Sequence, residues 1–231
     1  MGMLGFNLRF ECFFVLSFLV CFTLAAGDHI KCSSNNRNCT ITNAYGVFPD
    51  RTVCKARRVS YPATEEELVS AVAYGTKHKI PMKAATRYAH SIPKLACPRG
   101  EEGLIISTKK LNHVVEINVE EMTMTVESGV TLRQVINEAA KVGLALPYTP
   151  YWWGLSLGGL LATGAHGSTL WGKGSAVHDY VVGLRLVSPG EPEDGYVKVR
   201  SFGEDDKDLN AAKVSLGVLG VISQVISTSF S

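Results

Sequence analysis

Past residue 47 the chain switches between the helical and the strand rhythm of apolar positions. Thr64-Glu65-Glu66-Glu67 places a capping box ahead of Leu68, Ala71, Val72 and Gly75, which recur at helical spacing to about His78. Pro81 stops that helix and opens a short strand to Ala85. Residues 104–108, 114–117 and 122–130 are rich in β-branched and apolar side chains and read as strands, the last with alternation at Thr123, Thr125 and Glu127. Thr131-Leu132-Arg133-Gln134 is a second capping box. Behind it Leu132, Val135, Ile136, Ala139 and Ala140 form one apolar stripe, which Gly143 ends. Further strands are predicted at 181–187, 196–201 and 221–230, with a short helix around 209–214. Strands and helices without a strict βαβ alternation indicate an α+β fold.

The two ends read differently. Arg9 precedes an apolar run over 13–26 that closes on Ala25, Ala26 and Gly27, the pattern of a cleaved signal peptide over residues 1–27. The run is short for a membrane span, and an uncleaved anchor is the alternative. The expected location is the secretory pathway, extracellular or vacuolar, or membrane-anchored if the leader stays. Residues 28–46 read as an irregular, cysteine-pinned lead-in to a domain over 47–231. The strand at 221–230 runs into the last residues without a cap or polar tail, so further chain is expected beyond Ser231.

Without the leader the cysteines are Cys32, Cys39, Cys54 and Cys97, an even number suited to two disulfides in an oxidising compartment. All three pairings remain open, and free buried thiols are the alternative. No Cys-x-x-Cys step is present, which speaks against zinc. Asn38-Cys39-Thr40 fits the N-glycosylation acceptor pattern in an exposed polar stretch. The chain has 231 residues, 46% of them hydrophobic, enough for a core. Its 23 basic and 21 acidic residues are interspersed, leaving a net charge of +2 and no basic face for nucleic acid.

Three segments carry candidate chemistry. Residues 84–93, Ala-Ala-Thr-Arg-Tyr-Ala-His-Ser-Ile-Pro, follow a strand and turn through small and polar residues, where successive N–H groups can form an anion-binding nest. An ordinary turn has the same composition. Residues 156–168, Ser-Leu-Gly-Gly-Leu-Leu-Ala-Thr-Gly-Ala-His-Gly-Ser, hold four glycines that let backbone approach a ligand closely. A helix started at Gly158 would aim its N–H dipoles at phosphate oxygens, and close helix-to-strand packing is the other reading. The Gly-x-Gly-x-x-Gly spacing of nicotinamide enzymes is absent. Residues 214–222 form a glycine-punctuated entry into a strand.

In this order and separation the three segments resemble the FAD-binding domain of the vanillyl-alcohol oxidase superfamily over roughly residues 47–228, a PCMH-type domain of two α+β subdomains. Residues 147–154 (Pro-Tyr-Thr-Pro-Tyr-Trp-Trp-Gly), 163–168 (Thr-Gly-Ala-His-Gly-Ser) and 172–180 (Gly-Lys-Gly-Ser-Ala-Val-His-Asp-Tyr) are similar to plant L-gulonolactone oxidases. The resemblance implies FAD as cofactor and a share in oxidising an aldonolactone to L-ascorbate, with hydride passing to the flavin and the substrate-binding half downstream. It implies that Arg87, Tyr88, Ala89, His90 and Ser91 hold the pyrophosphate and flavin edge. Ser156, Gly158, Gly159, Thr163, Gly164, Ala165, His166, Gly167 and Ser168 would form the other side of the cofactor, and the Ile222 backbone would lie near a ring. His90 stands where related sugar-lactone oxidases bond covalently to the flavin 8α-methyl group. Ala89 replaces the usual glycine there, so a noncovalent flavin with His90 as a donor is the alternative. His166 is either a flavin neighbour or a packed histidine; His113, His178, Trp152 and Trp153 read as structural.

No substrate base stands out, so FAD binding with little turnover is expected of these residues alone. The aldonolactone becomes a partner only with a downstream domain, and a membrane only if the leader is uncleaved. A berberine-bridge-type oxidase would need a cysteine in the second segment, and none follows Cys97. A cytokinin dehydrogenase would lack the Tyr151-Trp152-Trp153 run. The reading from a different class is a secreted noncatalytic FAD-binding protein, or a truncated product without activity.

Overall fold

The computed structural model describes residues 29–43, 45–86, 90–147, 150–169, 172 and 174–229. The predicted leader lies outside them, and among the described residues no helix is long and apolar enough to cross a membrane.

Five strands build the first sheet: β1 (Ile30–Ser34), β2 (Arg37–Ile41), β3 (Cys54–Ser60), β4 (Met82–Ala85) and β5 (Leu104–Ser107). Their order is β1-β2-β3-β5-β4, antiparallel through β3 and parallel thereafter. The N-terminal stretch is therefore not an irregular lead-in. Asn35 and Asn36 both take positive φ, 42° and 58°, and join Ser34 to Arg37 across a two-residue turn of the primed kind that suits hairpin twist. The sheet begins at residue 30, inside the stretch expected to precede the domain.

Two disulfides resolve the pairing left open by sequence. Cys32–Cys39 crosses the β1–β2 hairpin. Cys54–Cys97 ties the first residue of β3 to the C-terminal cap of the short helix α2 (Pro93–Ala96).

The second sheet is antiparallel throughout, in the order β6 (Val114–Asn118), β7 (Thr123–Glu127), β10 (Val221–Thr228), β8 (Val181–Pro189), β9 (Val197–Phe202). β7 is shorter than the predicted 122–130. Met122 has φ of 52° in the preceding turn, and a last in-register bond runs from the Ser128 N–H to the Ser223 carbonyl at 2.9 Å. Gly129 then passes under the carbonyls of Thr108 and Leu111, where a Cβ would collide with backbone.

Helices sort by face. α3 (Leu132–Lys141), started by the predicted capping box at Thr131 and Gln134, buries Leu132, Val135 and Ala139 on one face of the second sheet. α4 (Leu157–Ala162) adds Leu157, Leu160 and Leu161 to the same core, and α5 (Leu209–Lys213) adds Leu209 and Ala212. α1 (Glu65–Lys77), capped by Thr64, lies on the opposite face. Its Leu68 and Val72 pack against Leu104 and Ile106 of the first sheet and against Val187 and Val221 of the second. One helix thus serves as a common layer between the sheets.

A polar clasp accompanies that packing. Arg185 on β8 donates to the Glu65 carboxylate through Nε at 3.1 Å and Nη2 at 2.6 Å, and Ser223 on β10 donates to it at 2.5 Å. Hydrogen bonding from Arg185, then from Ser223, holds the Glu65 carboxyl below its ordinary range against the opposing effect of burial.

Candidate functional site

Parallel strands leave a crevice beyond their carboxyl ends, where side chains of successive loops can meet a ligand. β4 and β5 are such a pair, and Thr86 and Thr108 stand immediately past them. Opposite stand α4 and the entry to β10. Between them lies a cavity of about 480 Å³, bounded by Met82 to Thr86, His90, Leu95 and Ala96 on the first-sheet side and by Thr108 and Ser128 at the seam. Leu155, Ser156, Gly158, Gly159, Leu160, Ala162, Thr163 and Ala165 form the opposite wall, and Leu216 to Val218 with Gly220 to Ile222 complete it. All three segments singled out by sequence converge here, although they lie some 130 positions apart along the chain.

The two adjacent glycines of α4 have separate tasks. Gly158 is a packing glycine: its N–H donates to the Ser128 carbonyl at 2.8 Å, and a Cβ would sit 2.8 Å from Ser128 Cβ. Gly159 faces the gap between the sheets, where a Cβ would come to 3.3 Å from Thr86 Oγ1. The expected phosphate-directed helix start is corrected in part. The helix begins at Leu157, and the Leu157 and Gly158 N–H groups are already taken by the Val130 and Ser128 carbonyls at 2.8 Å each. Hydroxyls are better placed to meet a ligand. Thr108 Oγ1, Ser128 Oγ and Ser156 Oγ are buried and have no hydrogen-bond partner among the described residues.

His90 borders the cavity. Its Nδ1 accepts the Ile92 N–H at 2.9 Å, and burial pushes its pKa down, which favours the neutral imidazole. Arg87, Tyr88 and Ala89 lie outside the described residues. Ser91 does not line the cavity.

The run after α4 divides. Thr163 and Ala165 reach the cavity; Gly164, His166, Gly167 and Ser168 do not. The Gly167 N–H donates to Ser175 at 2.7 Å and the Val177 N–H to Ala165 at 3.0 Å, stitching the run to the next segment by main chain. His166 is exposed, with Nδ1 3.0 Å from the Gly167 carbonyl, so it neither faces the cavity nor is packed in the core. His113 pairs with Glu127 on the surface, while Tyr151, Trp152 and Trp153 are exposed and away from the cavity. Sequence reasoning missed Lys83, Thr108 and Ser128 as cavity residues. Thr108 and Ser128 sit at strand ends with no local motif, and Lys83 looks like an ordinary polar strand position.

The fit to a dinucleotide is good. Buried hydroxyls await a polar ligand, Gly159 leaves room for close backbone approach, and the wall from Leu216 to Ile222 offers apolar surface for a flat ring. The two α+β halves, each with its own five-stranded sheet, and the cavity at their seam define the PCMH-type class of flavin-binding folds. The same fold recurs in alkyldihydroxyacetonephosphate synthase, at a TM-score of 0.69 and 18% identity, covering 94% of this chain and 40% of that one. Residues 56–191 match the FAD binding domain family, and the chain belongs to it; its cofactor is FAD. Arabidopsis thaliana L-gulonolactone oxidase 2 is 64% identical over 200 residues, 86% of this chain and 34% of the relative. L-gulonolactone oxidase 5 from the same plant is 63% identical over 200 residues, with the same coverage. The chain thus spans about a third of the length of the curated relatives it matches.

Proposed function

We propose that this chain is the FAD-binding portion of an aldonolactone oxidoreductase that shares in converting L-gulono-1,4-lactone to L-ascorbate. The observation that carries the reading is the convergence on one cavity of residues 82–86 with His90, of residues from 155–165 and of residues from 216–222, in a chain nearly two-thirds identical to plant L-gulonolactone oxidases. When bound, FAD would supply two-electron oxidation, accepting hydride from a substrate carbinol. The chain's own residues bind and orient it. Ser156, Gly159, Thr163, Ala165 and the Ile222 backbone form one wall; Thr86 and His90 form the other. Gly158 supports that wall from behind by packing on Ser128. Among the described residues lining the cavity only Lys83 and His90 carry ionisable side chains, and no carboxylate is present to take the proton of a substrate hydroxyl.

His90 is the proposed point of covalent attachment to the flavin 8α-methyl group. The neutral ring favoured by burial supports this, since a bond to carbon requires a nitrogen lone pair. Flavin fluorescence on a denaturing gel tests both steps, with protein made through a eukaryotic secretory pathway and His90→Ala alongside. A fluorescent band that disappears in the variant is expected. No band but flavin released from the native preparation would mean noncovalent FAD, and no flavin in either would overturn the cofactor site.

Passage through the secretory pathway is proposed from the leader pattern, and the two disulfides support it. Asn38 is the proposed glycan site, because Asn38 and Thr40 are both exposed on one side of β2 while Cys39 is buried on the other. Removal of N-glycans should shift the gel mobility of the wild type and leave Asn38→Gln unmoved.

A further inference from the structure

We propose that Lys83 is the residue that pairs with the diphosphate of the dinucleotide, a role that rests on the FAD reading of the cavity. Among the described residues β4 is the edge of its sheet and pairs with β5 alone, and its four residues line the cavity. Strand alternation divides its side chains. Met82 and Ala84 pack toward α1, with Met82 Sδ over Gly75. Lys83 and Ala85 point to the other face, where Ala85 meets Ala96 of α2.

The ammonium there is partly buried and makes no hydrogen bond or ion pair among the described residues. Burial alone depresses its pKa, with no carboxylate offsetting it. Among the described residues lining the cavity, Lys83 is the one Lys or Arg, and no Asp or Glu is present. An ammonium taken from water without a counter-charge costs stability, and an anion entering the cavity offsets that cost. A neutral lactone cannot provide the charge, nor can the uncharged ring and ribityl chain of a flavin. The diphosphate can, with Ser128, Ser156 and Thr108 as nearby unpaired hydroxyls to share its oxygens.

The proposal predicts selective loss. In a His90→Ala background, where no bond to flavin forms at that residue, flavin-free protein is titrated with FAD, riboflavin and ADP, for Lys83 and for Lys83→Met and Lys83→Arg. Lys83→Met should weaken FAD and ADP by roughly 10- to 100-fold, the worth of a charge-assisted hydrogen bond. Riboflavin should bind all three alike within about twofold, and Lys83→Arg should keep most of the FAD affinity. The flavin-free Lys83→Met protein should melt no lower than its parent, because it loses an unpaired charge, while gaining less on FAD addition. Lys83→Met that melts like its parent and binds FAD equally tightly would overturn the role of Lys83 alone. Parent protein that binds neither FAD nor riboflavin would overturn the cavity reading, and this proposal with it.

Discussion

At the residue scale, neighbouring side chains of one motif have unlike tasks. Gly158→Ala places a methyl group against Ser128 Cβ and its carbonyl, and overpacking of this kind costs about 1–3 kcal/mol. A lowered thermal midpoint is expected, partly recovered when Ser128 is also changed to Gly. Gly159→Ala should leave stability nearer wild type and weaken FAD, because the added methyl meets Thr86 across the cavity. Glu65→Gln removes a charge from the clasp with Arg185 and Ser223. The loss is about 1–2 kcal/mol by denaturant unfolding at neutral pH, discounted because Arg185 is partly solvated. Glu65 has a lowered folded pKa, so its contribution is fully present above the unfolded value of about 4.5 and fades as pH falls through the folded one. Wild type and Glu65→Gln should therefore differ by a constant amount from pH 7 to about 5 and converge in more acid solution. Sequence exposed the glycine-rich run but could not divide it, because the division depends on which atoms approach from residues 128 and 86.

Elements were legible where local chemistry marks them. The Thr64 cap, the Thr131–Gln134 capping box and the apolar stripe of Leu132, Val135 and Ala139 gave α1 and α3, since helix signals lie within one or two turns of chain, although the Glu67 carboxylate accepts from Ala63 and so leaves the first expected box half-formed. The β1–β2 hairpin was also written locally, in Asn35-Asn36, but its flanking strands are polar and carry only weak alternation. The short strand β7 ended early because Gly129 turns against Thr108 and Leu111, which no window of sequence contains. The disulfides belong to this scale too. Cys54–Cys97 closes 43 positions of chain around α1, β4 and the His90 loop, and its loss should cost about 2–4 kcal/mol. Cys32–Cys39 closes only 7 and should cost less. Cys54→Ser with Cys97→Ser should also reduce flavin content, because α2 and Ala96 border the cavity; Cys32→Ser with Cys39→Ser should not. Flavin absorbance per protein, read beside the melting curve, checks both.

Across the whole molecule, the α+β class and the cofactor followed from sequence, and the seam between the halves did not. The Glu65–Arg185 pair spans 120 positions and Glu65–Ser223 spans 158, separations at which periodicity carries no information. The helix shared by the two sheets also bears on how the chain could be divided. α1 is encoded in the first half and buries its apolar face on strands of both, so the two halves share one packing layer. A break in the turn near residue 120 would leave Leu68 and Val72 covered by the first sheet alone and would bare Val187 and Val221 in the other piece. Such pieces would be sticky apart and complementary together, which makes the pair a natural split reporter whose reassembly rebuilds the cavity.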